Sequence, residues 1–376
     1  MKKICLFGLY NYTYARNSSI RDSLKRAGMQ VVEVHREVPN ERMELPEDFT
    51  LRKSVYRILR KLKLYIELLG EYKKVMKCDI VIVLHPGHLD LPFAWVLCKL
   101  GGMKLLFDTS ISPYDTMFIG RSIARSTSFK AWAVKWVEGF LLRLPDRLFT
   151  DTKGMKDFIS STFNIHKEKV FVLPLGANEK MYKPAANPTQ NTKINVLFFG
   201  LYNPLHGTQH IMASINKLKV EKGITFTMLG DGYLKESLID YKKKHNLRNV
   251  TFIGFVPEQE LVKQIQKADI LLGTFSDNPV FQRVVPNKVF AALACKKPLI
   301  TARMAPVEEF FTHGKDIYFC NPEDPKSLAH AIKTVAFNTK LRKRLAEEGY
   351  RAYRDNFTTK EIGRLLVKEI TAFHTI

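Results

Sequence analysis

The chain has 376 residues, 45% of them hydrophobic and 26% charged, so it is long enough for two domains and too apolar for a disordered chain. Its five cysteines (Cys5, Cys78, Cys98, Cys295, Cys320) form no CxxC pair, which excludes a disulfide framework and a zinc site and fits reduced thiols in a cytoplasmic protein. The formal charge of +22 calls for an anionic partner, and both halves carry it: residues 1–180 hold 30 Lys and Arg against 19 Asp and Glu, residues 181–376 hold 29 against 18.

Met1–Gly8 enters a strand at once, which leaves no signal peptide. KKICLFG (Lys2–Gly8) reads as a buried strand, Ser18 or Ser19 can cap a helix over Ile20–Ala27, and MQVVEVH (Met29–His35) is the next strand. Strand, glycine-containing loop, helix and strand in that order open a doubly wound α/β sheet, in which ligands sit beyond the carboxyl ends of the strands.

Residues 51–77 place Val55, Leu59, Leu62, Ile66 and Leu69 on one helical face, with nine cations against only Glu67 and Glu71. A second such segment, Arg121–Arg147, carries six cations against Glu138 and Asp146, with Trp132, Trp136 and Phe140 interleaved. Two readings fit: basic amphipathic helices that bind an anionic membrane surface, or surface helices whose apolar stripes pack on their own sheet. The most apolar windows, Ile80–Cys98 and Ala131–Leu144, are interrupted by His85, His88, Asp90, Lys135 and Glu138, so neither spans a bilayer.

Between the basic segments lie two strands that release polar residues at their carboxyl ends: His85 and His88 after Asp79–Leu84, Asp108 and Asp115 in Met103–Thr116. His85, Asp108 and Asp115 are therefore candidate catalytic residues, and Gly8, Asn11, Arg16 and Asn17 border the corresponding edge of the first strand. The Pro- and Asn-rich stretch 181–193 reads as a linker. A second series of strands and helices begins at INVLFFG (Ile194–Gly200). Thr225–Gly232 and Asn249–Val256 end at glycines or close to them, positions where a ligand can approach the backbone. Asp277–Ala302 reads as a loop, a helix opened by Pro286 and a buried strand; the amide end of that helix, beside Arg283 and Lys288, suits an anion such as a phosphate.

Two Rossmann-like halves with an anion site in the second resemble the GT-B fold of nucleotide-sugar glycosyltransferases. The second half resembles glycosyltransferase family 4 in its ordered landmarks: FFG…PLHG, MLGDGYL, VTFIGFVPEQELVKQIQKADILL, PNKVFAALACKKPLITA and the closing helices over residues 341–366. The resemblance implies two domains facing a cleft: residues 1–180 for the acceptor, 181–193 a linker, 194–357 for the nucleotide-sugar, and 358–376 a helix returning to the first domain. It implies a retaining transferase with no metal and no cofactor. The donor would be held by Gly200, His206, Gly207, Gly230, Val256, Arg283, Asn287 and Lys288. A lipid-linked or cell-surface glycan precursor would be the acceptor, bordered by Gly8, Asn11, Arg16 and Asn17, at the inner face of the membrane.

The chain departs from the family pattern. Its two signature glutamates fall at Arg283 and Ala291, its diphosphate-binding Arg and Lys at Leu201 and His206, and its glycine after the helix at Lys296. In the reading adopted, Arg283 and Lys288 take over the diphosphate charge. The alternatives are a catalytically inactive relative or partner in a glycosylation complex, and a sugar-nucleotide epimerase. A nucleic-acid binder ranks last, because no recognition motif accompanies the charge.

Overall fold

The computed structural model of the protein describes residues 2–12, 14–37, 51–121, 123–186 and 191–372, the side chains of 51–59 and 61 excepted. It divides into two units, Met1–Pro174 with Thr359–Ile376, and Leu175–Thr358.

The first unit holds β1 (Lys3–Leu9), α1 (Ala15–Arg26), β2 (Gln30–Arg36), α2 (Leu51–Gly70), α3 (Tyr72–Val75), β3 (Ile80–Val83), α4 (Leu91–Gly101), β4 (Lys104–Asp108), α5 (Phe129–Leu141), β5 (Arg147–Thr150), α6 (Lys153–Phe163) and β6 (Val170–Val172). The second holds β7 (Ile194–Phe199), α7 (Thr208–Lys217), β8 (Ile224–Leu229), α8 (Lys235–Lys244), β9 (Val250–Ile253), α9 (Glu258–Lys267), β10 (Ile270–Leu272), α10 (Asn287–Ala294), β11 (Leu299–Ala302), α11 (Ala305–Glu308), β12 (Tyr318–Cys320), α12 (Pro325–Phe337) and α13 (Thr339–Asn356). The chain then returns to the first unit as α14 (Thr359–Ala372), which packs on α1. Gly363 permits that contact, since a Cβ there would lie 2.5 Å from the Ser23 carbonyl oxygen.

Each unit is built on a six-stranded sheet, ordered β2-β1-β3-β4-β5-β6 in the first and β12-β11-β10-β7-β8-β9 in the second, with neighbouring strands parallel. Parallel sheets are covered on both faces, which is why IVIV of β3 and ILL of β10 are apolar throughout and fully buried. The strand order reverses between β1 and β3 in one sheet and between β7 and β10 in the other. At such switch points the flanking loops part and leave a crevice beyond the carboxyl ends. The segment after Leu175 belongs to the second unit because it is pinned there: Tyr182 hydrogen-bonds Glu258 at 3.1 Å, and Gln266 donates to the Lys183 carbonyl at 2.9 Å.

Helix α1 starts at Ala15 rather than at Ile20, so Ser18 and Ser19 lie inside it instead of capping it. The extra turn is held by tertiary bonds that the local pattern does not reveal. Asn17 donates to the carbonyls of Asn11 and His85, and Arg16 to Asp108. In the second unit Pro286 sits at the N-cap of α10, one position before the helix proper.

The C-terminus of α10 ends on a residue in a conformation that favours glycine. Lys296 has φ of 57°, in the left-handed region, with its N–H on Leu293 and the Lys297 N–H on Ala292 in a Schellman arrangement. A side chain at that φ costs about 1–2 kcal/mol, which the exposed Lys296–Glu347 pair at 2.7 Å does little to offset. Lys296→Gly is therefore expected to raise unfolding free energy in urea by about 1 kcal/mol. A loss of stability would show that the Glu347 contact outweighs the backbone strain.

Candidate functional site

Two clusters of polar residues form at the carboxyl ends of the two sheets. In the second unit the glycines serve the backbone first. Gly230 has φ of 143°, and a Cβ there would fall 1.9 Å from the Gly200 carbonyl oxygen. A Cβ at Gly207 would lie 2.8 Å from the Phe275 backbone. These glycines let the loops after β7, β8 and β10 close on one another.

What those loops surround is Lys288. It is buried in the first turn of α10, and its amine lies 4.0 Å from the Phe198 ring centroid and 3.4 Å from the Gly273 carbonyl oxygen. Both contacts sit at the β7/β10 switch point. A Cβ on Gly200 would be 3.3 Å from that amine and 3.5 Å from the His206 ring, which places Gly200, His206 and Lys288 together. No ion pair reaches Lys288 among the described residues, and burial alone lowers its pKa to about 7.

His206 is half-buried, and its Nδ1 lies 2.8 Å from the Leu201 carbonyl. That contact puts the proton on Nδ1 and leaves Nε2 an acceptor when the ring is neutral. Burial first and Lys288 second lower its pKa to about 3, so an anion-free site keeps the ring neutral. Of the other donor candidates, Asn287 is exposed at the start of α10, Arg283 is half-buried and closes the turn Pro279–Gln282, and Val256 packs half-buried on the core beyond β9. Sequence reasoning missed Phe198, the ring under the Lys288 amine, because it reads as an ordinary strand residue.

In the first unit Arg16 and Asp108 form a fully buried ion pair, Nε to Oδ2 at 2.6 Å, and a second Arg16 nitrogen reaches the Leu173 carbonyl. The other Asp108 oxygen accepts from the Ser110 hydroxyl at 2.5 Å. Asp108 is thus occupied on both oxygens and completely shielded, which suits holding Arg16 better than meeting a substrate. Asp151, absent from the sequence candidates, completes the cluster. Burial raises its pKa to about 6 against the attraction of Arg16, so its ionisation costs stability as pH rises through that value. His85 is half-buried beyond β3, lies tilted against Tyr14 with ring centroids 5.4 Å apart, and is held neutral by burial, which lowers its pKa to about 4. Asp115 is buried where it opens a π turn, Asp115–Gly120. At Gly8 the position of a Cβ is taken by Asp90, whose carboxylate accepts from the Leu9 N–H.

Residues 180–352 match the family model described as "Glycosyl transferases group 1". The match falls within the second unit. Its curated relatives include glycogen synthase of Mycobacterium tuberculosis, 27% identical over 53% of this chain and 47% of that protein. An uncharacterised 41.2 kDa protein in the cps region of Klebsiella pneumoniae is 25% identical over 53% and 54%. The chain spans about half the length of these relatives. Among solved structures, Anabaena HepE in complex with UDP and glucose aligns with a TM-score of 0.72 at 12% identity, covering 99% of this chain and 100% of that one. Sucrose-phosphate synthase from Thermosynechococcus elongatus aligns with a TM-score of 0.74 at 15% identity over the full length of both. At such identities the likeness concerns the fold: both units have the Rossmann-like architecture of GT-B glycosyltransferases.

The saturated pair in the first unit gives a direct test. Asp108→Asn leaves the Arg16 guanidinium with a weaker partner in a buried site and is expected to cost about 3 kcal/mol, measured by urea unfolding at pH 7. A change below about 0.5 kcal/mol would mean that Asp151 alone neutralises Arg16.

Proposed function

We propose that the protein transfers a sugar, with retention of configuration, from a nucleoside-diphosphate donor held by the second unit to an acceptor held by the first. The observation that carries this reading is the buried, unpaired Lys288 amine at the switch point of the unit that matches the glycosyl transferases group 1 model. A buried cation without a carboxylate is costly, and a ligand diphosphate supplies the missing charge. Transfer requires charge to develop on the departing diphosphate. A desolvated ammonium stabilises that charge far better than a solvated one and needs no metal to do so.

Arg283, at the position of the family's first glutamate, adds a second cation from the loop before α10. The neutral Nε2 of His206 suits a hydroxyl of the donor while the ring is uncharged. In the first unit His85 and Asn17 flank the β1/β3 switch point, and Arg16, braced by Asp108 and Asp151, supports them. The acceptor is a lipid-linked or cell-surface glycan precursor, a choice supported by the cationic helices of the first unit and by the relative encoded in a cps region.

The test is calorimetry with UDP, GDP and ADP. Removing a charged hydrogen bond costs about 1.5–3 kcal/mol, so Lys288→Met is expected to weaken the preferred nucleotide about 10- to 150-fold, with Arg283→Ala showing a smaller loss. The pH dependence follows from Lys288. Its folded pKa lies near 7 and the diphosphate requires the charged form, so affinity falls as pH rises from 7 to 9, by up to about tenfold per unit. Unchanged affinity in both variants, or a flat profile, would remove Lys288 from the donor site.

A further inference from the structure

Side-chain parity assigns the helices of the first unit to two faces of its sheet. Ile4, Leu6, Ile80 and Ile82 point to one side and pack with Ile20 and Leu24 of α1 and Ile362 and Leu366 of α14. The opposite side carries α2, α4 and α5. Tyr65 of α2 hydrogen-bonds Asp90 at 2.7 Å and stacks on Phe93 of α4 at 4.9 Å. His88, just before α4, packs edge-on against Phe107 and lies 3.7 Å from Glu138 of α5.

Each of these three helices turns an apolar stripe outward. On α2 it is Leu62, Ile66 and Leu69, and on α4 it is Val96 and Leu100, all exposed. On α5 it is Phe129, Trp132, Trp136 and Phe140, which recur at helical spacing and are 78%, 58%, 63% and 53% exposed. The opposite side of α5, with Ala131, Glu138 and Leu141, is buried. The α5 rings pair among themselves, Phe129 with Trp132 and Trp136 with Phe140, and border an open groove of about 510 Å³ lined also by Lys135 and Arg143. Large exposed aromatics in this number do not arise from packing needs.

The charges beside the stripes have one sign. Glu67 and Glu71 are bonded to Arg36, Glu138 is buried under the Tyr114 N–H, and Asp146 accepts from the Leu105 N–H. Arg60, Lys63, Lys73, Lys99 and Lys130 are exposed. A second copy of the chain would bring the same cations to the contact, which disfavours self-association through this face.

We propose that the α2–α4–α5 face of the first unit is a docking surface for a membrane rich in anionic phospholipid. The α5 rings enter the interfacial layer and the cations meet lipid phosphates. The inference rests on the proposed lipid-linked acceptor and goes beyond it by assigning the surface. Trp and Phe on one side of a helix with Lys and Arg around them are the makings of an interfacial helix, and the rings add a contribution that salt does not screen. Among the described residues no helix is long and apolar enough to cross a membrane.

The full chain is floated with vesicles of phosphatidylcholine alone and with phosphatidylglycerol added, while tryptophan emission is recorded. Expected are binding to the anionic vesicles only, a blue shift of emission, and binding that weakens with salt without vanishing. Trp132→Ala with Trp136→Ala is expected to reduce partitioning at least about tenfold, and Arg60→Glu with Lys63→Glu likewise, with nucleoside-diphosphate affinity unchanged in both. Wild-type protein that binds a nucleotide but ignores anionic vesicles overturns the docking surface and leaves the donor reading standing. Vesicle binding unaffected by both double variants also overturns it, as does a stable dimer whose tryptophan emission is already blue without lipid. Vesicle docking by a protein that binds no nucleoside diphosphate sustains the surface while the donor reading falls.

Discussion

A single buried amine organises the second unit. Lys288 lies against the Phe198 ring, where the loops after β7 and β10 part, and no carboxylate among the described residues answers its charge. Such a group is expensive unless the ring, the Gly273 carbonyl and eventually a ligand anion share the charge. The surrounding glycines follow from this constraint. With side chains at 207 or 230 the loops could not close around the amine, since Cβ atoms there would collide with backbone.

The first unit solves the opposite problem. Its buried cation, Arg16, has carboxylate company in Asp108 and Asp151, and burial raises the pKa of Asp151. The paired cluster is a brace. It fixes the first turn of α1, and through it Asn17, which ties the loops after β1 and β3 at their switch point. The units thus differ: the first pairs its buried cation with a carboxylate, and the second buries one with no carboxylate among the described residues.

Much of this was legible from residue order. The apolar run IVIV reads as a buried strand, and the repeated strand–glycine–helix punctuation implied two Rossmann-like sheets. Lys288 stood out because it follows a Pro-capped helix start. The pairing of Arg16 with Asp108 did not stand out, being a contact across 92 positions that no periodicity encodes. The glycines were legible as special positions, but the reason was hidden: at Gly230 the neighbour is the Gly200 carbonyl. Lys296 was readable as a departure from a family glycine, and its left-handed φ supplies the physical meaning of that position. The aromatic stripe of α5 fitted either of two readings in the sequence, and the exposure of Trp132 and Trp136 shows that this stripe does not pack on its own sheet.

The central claim is that Lys288 is an ammonium waiting for a diphosphate, and proton linkage tests it most directly. Calorimetric titration of the preferred nucleoside diphosphate near pH 8, repeated in buffers of different ionisation enthalpy, counts the protons taken up on binding. With a free-state pKa near 7, wild-type protein should take up most of one proton per nucleotide, and Lys288→Met none. Tight binding with no proton uptake, or the same uptake in Lys288→Met, would contradict the account.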